Sequence, residues 1–126
     1  MKQLSTGIDI VEIEELKVLI NKFGNRILKR LFTAEEIAYC IVKPNQFQHF
    51  AARMAAKEAV FKAIGHGWGQ GVQWKNIEVT NNSLGAPALS LSGNAEKIFT
   101  ESGFLKHNLT ITHSKQYAIA IVNIYS

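Results

Sequence analysis

Phe50-Ala-Ala-Arg-Met-Ala-Ala-Lys-Glu-Ala-Val-Phe-Lys-Ala-Ile-Gly65 decides how the rest of this sequence is read. Alanine is the best helix former, and Met, Lys, Glu and Arg follow closely. Asn45 is placed to start the helix and Gly65 to end it. At about 100° per residue, Glu58 and Lys62 share one face a turn apart, and Arg53 and Lys57 form a second stripe beside them. Alone, a Glu–Lys pair at this spacing reads as a surface ion pair. The continuation argues for more, because the helix runs into Gly65-His-Gly-Trp-Gly-Gln-Gly71. Four alternating glycines give a backbone that can close against a ligand.

The 126 residues fit one domain spanning 1–126, with ordinary apolar and charged fractions. No apolar run approaches the roughly 18 residues of a membrane span. The first residues lack a signal-peptide pattern, so a cytoplasmic location is expected. The single cysteine, Cys40, agrees with a reducing compartment and reads as a helix residue. The net charge of +4 gathers around Lys22, Arg26, Lys29 and Arg30. Such a cluster attracts anionic partners. Only Phe23 stands among these residues, short of the interleaving that a stacking platform for single strands requires, which argues against nucleic acid.

Asp9 is the only aspartate in the chain, and it stands between isoleucines in a stretch (2–11) that reads as a strand. Aspartate is depleted in strands and costly to bury without a partner. Either it lies on the wet face of an edge strand, or it serves a cation or charged ligand.

Helical spacing continues from Val11 to Phe23. A second short helix capped by Asn25 follows, then a third opened by the capping box Thr33-Ala-Glu-Glu36. After the glycines the period changes to two: strands at Trp74–Thr80 and Ala86–Leu91 flank a turn. Asn94 is placed to cap a helix to Glu101, and strands at Leu105–Thr112 and Tyr117–Tyr125 close the chain. This order predicts an α+β fold with a small antiparallel sheet packed on a long central helix. Two carboxylates, Asp9 and Glu58, suit a hard divalent cation completed by water and phosphate oxygens. Lys62, the glycine stretch, and His113-Ser114-Lys115 offer donors for phosphates. Together they point to metal-assisted chemistry on a phosphorylated ligand, if the fold brings them together.

Gly7-Ile-Asp-Ile-Val-Glu-Ile13 combined with the 50–65 helix resembles the holo-acyl-carrier-protein synthase family, the short bacterial-type 4′-phosphopantetheinyl transferases. The likeness runs on to Thr112-His-Ser-Lys115 and the last strand. It implies transfer of the phosphopantetheine arm of coenzyme A to a serine of apo-acyl carrier protein, leaving adenosine 3′,5′-bisphosphate, in support of fatty acid biosynthesis. It further implies Mg²⁺ on Asp9 and Glu58, with Lys62 near the pyrophosphate. Arg53, Gly65, Gly67, His113 and Ser114 line the coenzyme site in that scheme. A homotrimer with sites shared between subunits is implied too, and docking of the acidic carrier protein near Arg26, Lys29 and Arg30. Two positions depart from the family: Ser5 stands for a usual glycine, and Glu15 for an arginine that grips the carrier protein. Two further classes stay open on the residues alone: an anion-binding module without catalysis, and a nucleic-acid binder with steeply salt-dependent affinity.

Overall fold

The computed structural model describes residues 2–65 and 71–126. Along the chain lie β1 (Leu4–Glu12), α1 (Ile13–Phe23), α2 (Asn25–Leu31), α3 (Ala34–Ile41) and α4 (Gln46–Ile64). A 3-10 turn at Trp74–Asn76 leads into β2 (Ile77–Asn81), followed by β3 (Pro87–Leu91), α5 (Gly93–Glu101), β4 (Lys106–His113) and β5 (Tyr117–Tyr125). The α+β architecture expected from the sequence is what the chain adopts.

β1, β5 and β4 form an antiparallel sheet in that order, so the first strand pairs with the last, Gly7 opposite Val122 and Asp9 opposite Ala120. The β2–β3 hairpin is a separate two-stranded sheet. Alternate residues of β5, namely Ala118, Ala120, Val122 and Ile124, are buried against α4, as a period of two dictates. The opposite face leaves Leu4, Ile8, Ile10 and Ile121 exposed.

α4 is the axis of the molecule. Its C-terminal half packs with the sheets and α5, and its N-terminal half with α1–α3. Small side chains allow this close fit. A Cβ at Gly7 would fall 1.8 Å from the Ala59 carbonyl oxygen, so only glycine lets β1 lie on the helix there. Two residues earlier, the Ser5 hydroxyl donates to the Ala63 carbonyl at 2.6 Å, which gives the serine at this position a structural use.

Local signals are realised unevenly. Gly65 ends α4 at φ 70°, and Thr33 and Glu36 form the expected capping box. Asn45 sits at the cap position of α4, but its side chain donates to Gln48 and caps nothing. Gly24, not Asn25, is the residue before α2, and Ser92, not Asn94, precedes α5. Asn94 instead donates to the Gly71 carbonyl. The strand expected from Trp74 begins only at Ile77, because Lys57 draws the carbonyls of Trp74 and Ile77 toward α4. Tertiary hydrogen bonding there outweighs the local alternation.

Candidate active site

The sequence-derived site residues fall into two groups at two places on α4. The first is built where Gly7 brings β1 against the helix. Asp9 lies two residues on, so it points to the same side of the strand as Gly7. Lys62 Nζ donates to Asp9 Oδ1 at 2.6 Å and to the Ile8 carbonyl at 3.1 Å. The Asp9 side chain is 10% exposed and that of Lys62 57%. Asp9 is thus on an edge strand, yet not on its wet face. The surface pair expected of Glu58 and Lys62 is replaced by one between Lys62 and Asp9.

Asp9 Oδ2 is buried and finds no donor among the described residues. What stands within hydrogen-bonding reach of Asp9 is another carboxyl, Glu58. The Glu58 pKa is raised to about 8, chiefly by burial, then by the hydrogen bond and charge of Asp9, with Lys62 acting the other way. The hydrogen bond to Asp9 in turn raises the pKa of Lys62. Two carboxyls that crowd each other in this way form a place where a cation can take over from a shared proton. The donor set therefore fits Mg²⁺, which is commonly held by one or two carboxylates with water and substrate phosphate completing the shell. A groove of about 320 Å³ opens beside them, lined by Glu58, Phe61, Lys62 and Trp74.

The second group centres on Arg53. Five residues from Glu58, it lies about 7.5 Å along the helix and about 140° around it. Arg53 is buried and stacks over the Tyr39 ring, 4.3 Å from the centroid. One nitrogen donates to Asn81 Oδ1 at 2.9 Å, while buried Nε has no acceptor among the described residues. Lys43 approaches the same ring at 4.6 Å, and the His49 ring meets it edge-on. The pKa of His49 is lowered by burial first, then by Arg53, Lys43 and His113. His113 ends β4 and Ser114 opens the β4–β5 turn, tied to α4 by Gln48 donating to the Ser114 carbonyl. The Ser114 hydroxyl accepts from the backbone of Gln116 and Tyr117. Cations collect here, and among the described residues Arg53 has no carboxylate to pair with. Such a place suits phosphate.

Lys43 and His49 were not singled out in the sequence. The four-residue step from His49 to Arg53 is the one signal that could have found His49. Of the glycine stretch, Gly65 ends α4 and Gly71 carries a carbonyl that accepts from Asn94, while Gly67 and Gly69 lie outside the described residues. No group of three or more His, Cys, Asp or Glu able to hold a metal occurs among the described residues, so the candidate site rests on two carboxylates. No helix among them is long and apolar enough to cross a membrane. Arg26, Lys29 and Arg30 lie on α2 and border two adjoining grooves. One of about 210 Å³ has Phe23, Arg26, Ile27 and Arg30 as its walls. The other, of about 440 Å³, runs from Lys29 and Arg30 to residues 71–75. Cys40 is fully buried, with its thiol pushed up to about 11 mainly by that burial, and so is inert.

Residues 5–122 match the 4′-phosphopantetheinyl transferase superfamily. A holo-[acyl-carrier-protein] synthase of Koribacter versatilis is 44% identical over 119 residues, covering 94% of this chain and 95% of that one. Among solved structures, the holo-[acyl-carrier-protein] synthase of Neisseria meningitidis superposes with a TM-score of 0.86 at 29% identity, over 95% of this chain and 96% of that one. The Helicobacter pylori enzyme in complex with coenzyme A gives 0.83 at 28% identity, over 94% and 98%. A strand that delivers one aspartate to a Glu–Lys helix is thus embedded in a fold and a sequence shared along nearly the whole length, and this chain belongs to the 4′-phosphopantetheinyl transferase superfamily.

Proposed function

We propose that this protein is a holo-acyl-carrier-protein synthase, moving 4′-phosphopantetheine from coenzyme A to a serine of apo-acyl carrier protein. The observation that carries the reading is the buried Asp9 Oδ2, lacking a donor, beside a second carboxyl at Glu58 and a lysine at Lys62. The serine oxygen bonds to the phosphorus bearing the pantetheine arm, and the bond from that phosphorus to the bridging oxygen breaks. Adenosine 3′,5′-bisphosphate departs with the bridging oxygen, and the serine proton is released. The nucleophile comes from the partner, so this chain needs none of its own.

Asp9 and Glu58 would hold Mg²⁺, which when bound supplies positive charge to the pyrophosphate oxygens. Lys62, anchored on Asp9 and the Ile8 carbonyl, stands on an exposed side chain able to turn toward the charge that grows on the leaving phosphate. Arg53, His49, His113 and Ser114 offer donors for the remaining phosphate groups. Because Arg53 and Glu58 point about 140° apart on one helix, a single coenzyme is best met by the Glu58 face of one copy and the Arg53 face of another. The exposed Leu4, Ile8, Ile10 and Ile121 give the sheet an apolar face for that assembly, which we take to be a homotrimer. Arg26, Lys29 and Arg30 form the basic surface for an acidic carrier protein, with Glu15 tuning which one fits. We place the reaction in the cytoplasm, serving fatty acid biosynthesis, with neither membrane nor nucleic acid as partner.

Mass spectrometry of apo-acyl carrier protein incubated with this protein, coenzyme A and Mg²⁺ tests the reading. The expected result is a mass gain of one phosphopantetheine, lost in folded Asp9→Ala and Glu58→Ala variants. Full transfer by both variants overturns the assignment of the carboxylates.

A further inference from the structure

We infer that Lys57 is a positioning residue, holding Trp74 through its backbone as the wall shared by the Glu58–Lys62 groove and the basic groove of α2. Lys57 is fully buried next to Glu58, yet it faces away from the carboxylates of the site. Its ammonium donates to Glu36 Oε1 at 2.7 Å, to the Trp74 carbonyl at 3.1 Å and to the Ile77 carbonyl. All three donors of the ammonium are thereby used. Glu36 is satisfied as fully: Oε1 also accepts from the Thr33 amide, and Oε2 accepts from the Val79 amide. Thr33 adds a bond of its own, donating its hydroxyl to Glu78. The network thus ties α3, α4 and the segment entering β2 at one point.

A buried ion pair is poor evidence for stability alone, since apolar side chains of similar volume often serve as well. What the charged pair supplies here is geometry. The Trp74 carbonyl is fixed to α4 one residue from Glu58, and the Trp74 ring meets Phe61 edge-on, with centroids 4.9 Å apart. Trp74 borders the groove of Glu58 and Lys62, and it also borders the groove of Lys29, Arg30 and Lys75. On the function proposed above, the first groove takes the coenzyme and the second meets the carrier protein. Trp74 then stands where the two substrates come together, and Lys57 sets its place.

The experiment compares wild type, Lys57→Met/Glu36→Gln, Lys57→Arg and Trp74→Ala. All are labelled with 5-fluorotryptophan, and the resonance missing from Trp74→Ala is assigned to Trp74. The double variant removes both charges, so no lone buried charge remains. Far below its unfolding transition, it is expected to show a displaced or broadened Trp74 resonance with Mg²⁺ binding by calorimetry unchanged. Its kcat/KM with coenzyme A and carrier protein should fall by up to about 100-fold, the scale of a 1 Å misplacement. Lys57→Arg should restore part of the loss. Trp74→Ala, with Lys57 intact, should raise the KM for both substrates. A Trp74 resonance and rate constants equal to wild type in the folded double variant overturn the inference. If the double variant does not fold, unchanged KM values in Trp74→Ala overturn it instead. Absence of transfer by wild type refutes the proposed function, and the fluorine resonance still decides whether Lys57 positions Trp74.

Discussion

Two lysines on α4, five residues apart, each bond a carboxylate and backbone carbonyls, and they do different work. Lys57 meets Glu36 with both side chains wholly buried, and Lys62 meets Asp9 with more than half of its side chain in solvent. Lys57 is wholly buried and has no remaining donor, so its partners are obligatory. Burial lowers its pKa and Glu36 only partly opposes this, the mark of a charge tolerated for the bonds it makes. Lys62 is held at one end only and can exchange Asp9 for another anion with little desolvation. Depth below the surface, not the chemistry of the pair, separates a structural lysine from one free to act on a substrate.

The largest effect should come from breaking the buried pair. Lys57→Ala leaves Glu36 buried without its cation, and urea unfolding should show a loss of about 3–5 kcal/mol. Adding Glu36→Gln should recover part of it. A loss below about 1 kcal/mol would mean that the two pairs are equivalent and that burial is not what distinguishes them.

Lys62→Ala should reverse the pattern. Stability should move by only about 1 kcal/mol, because the lysine of this pair already lies largely in solvent. Transfer to carrier protein should fall by about 100-fold or more, the scale of removing one group that meets charge developing in the transition state. Steady-state rates alongside denaturation curves separate the two outcomes.

Mg²⁺ sharpens the comparison from the other side of Asp9. At ten times its dissociation constant, it should stabilise the wild type by about 1.4 kcal/mol in thermal unfolding. Asp9→Ala and Glu58→Ala should lose that shift, and Lys57→Arg should keep it. Equal stabilisation of all four proteins would remove the metal from this site.

A smaller effect concerns pH. His49 and His107 both have lowered pKa values, burial being the first cause in each. The unfolded chain then binds protons more readily than the folded one, so stability is full above about pH 6.5 and is lost as pH falls through the folded values. His107→Phe and His49→Gln should each flatten this acid limb in denaturation midpoints measured between pH 7 and 5. His49 should also respond to phosphate, because an anion beside Arg53 raises the histidine's pKa; His107, packed edge-on against Phe99, should not.

Much of this was legible in the sequence because the signals were local or chemically odd. An aspartate between isoleucines stood out as a side chain in need of a partner, and the Thr33–Glu36 box announced the start of a helix. Gly65 announced the end of one. Helical spacing also gave the relative directions of Arg53, Lys57, Glu58 and Lys62, since 3.6 residues per turn fixes their angles. What it did not give was which of those directions faces inward. α4 is alanine-rich and apolar on nearly every side, so no hydrophobic stripe orients it, and its charges read alike as solvated. Only packing decided that Lys57 turns into the core, toward a glutamate 21 positions earlier, and that Lys62 turns out to an aspartate 53 positions earlier. The strand–helix contact at Gly7 settled the second choice, and the capacity of Glu36 Oε1 to accept from Lys57 as well as from the Thr33 amide settled the first. Sequence determined which residues could do chemistry here; the tertiary structure determined their neighbours, because contacts across such separations depend on how whole faces pack.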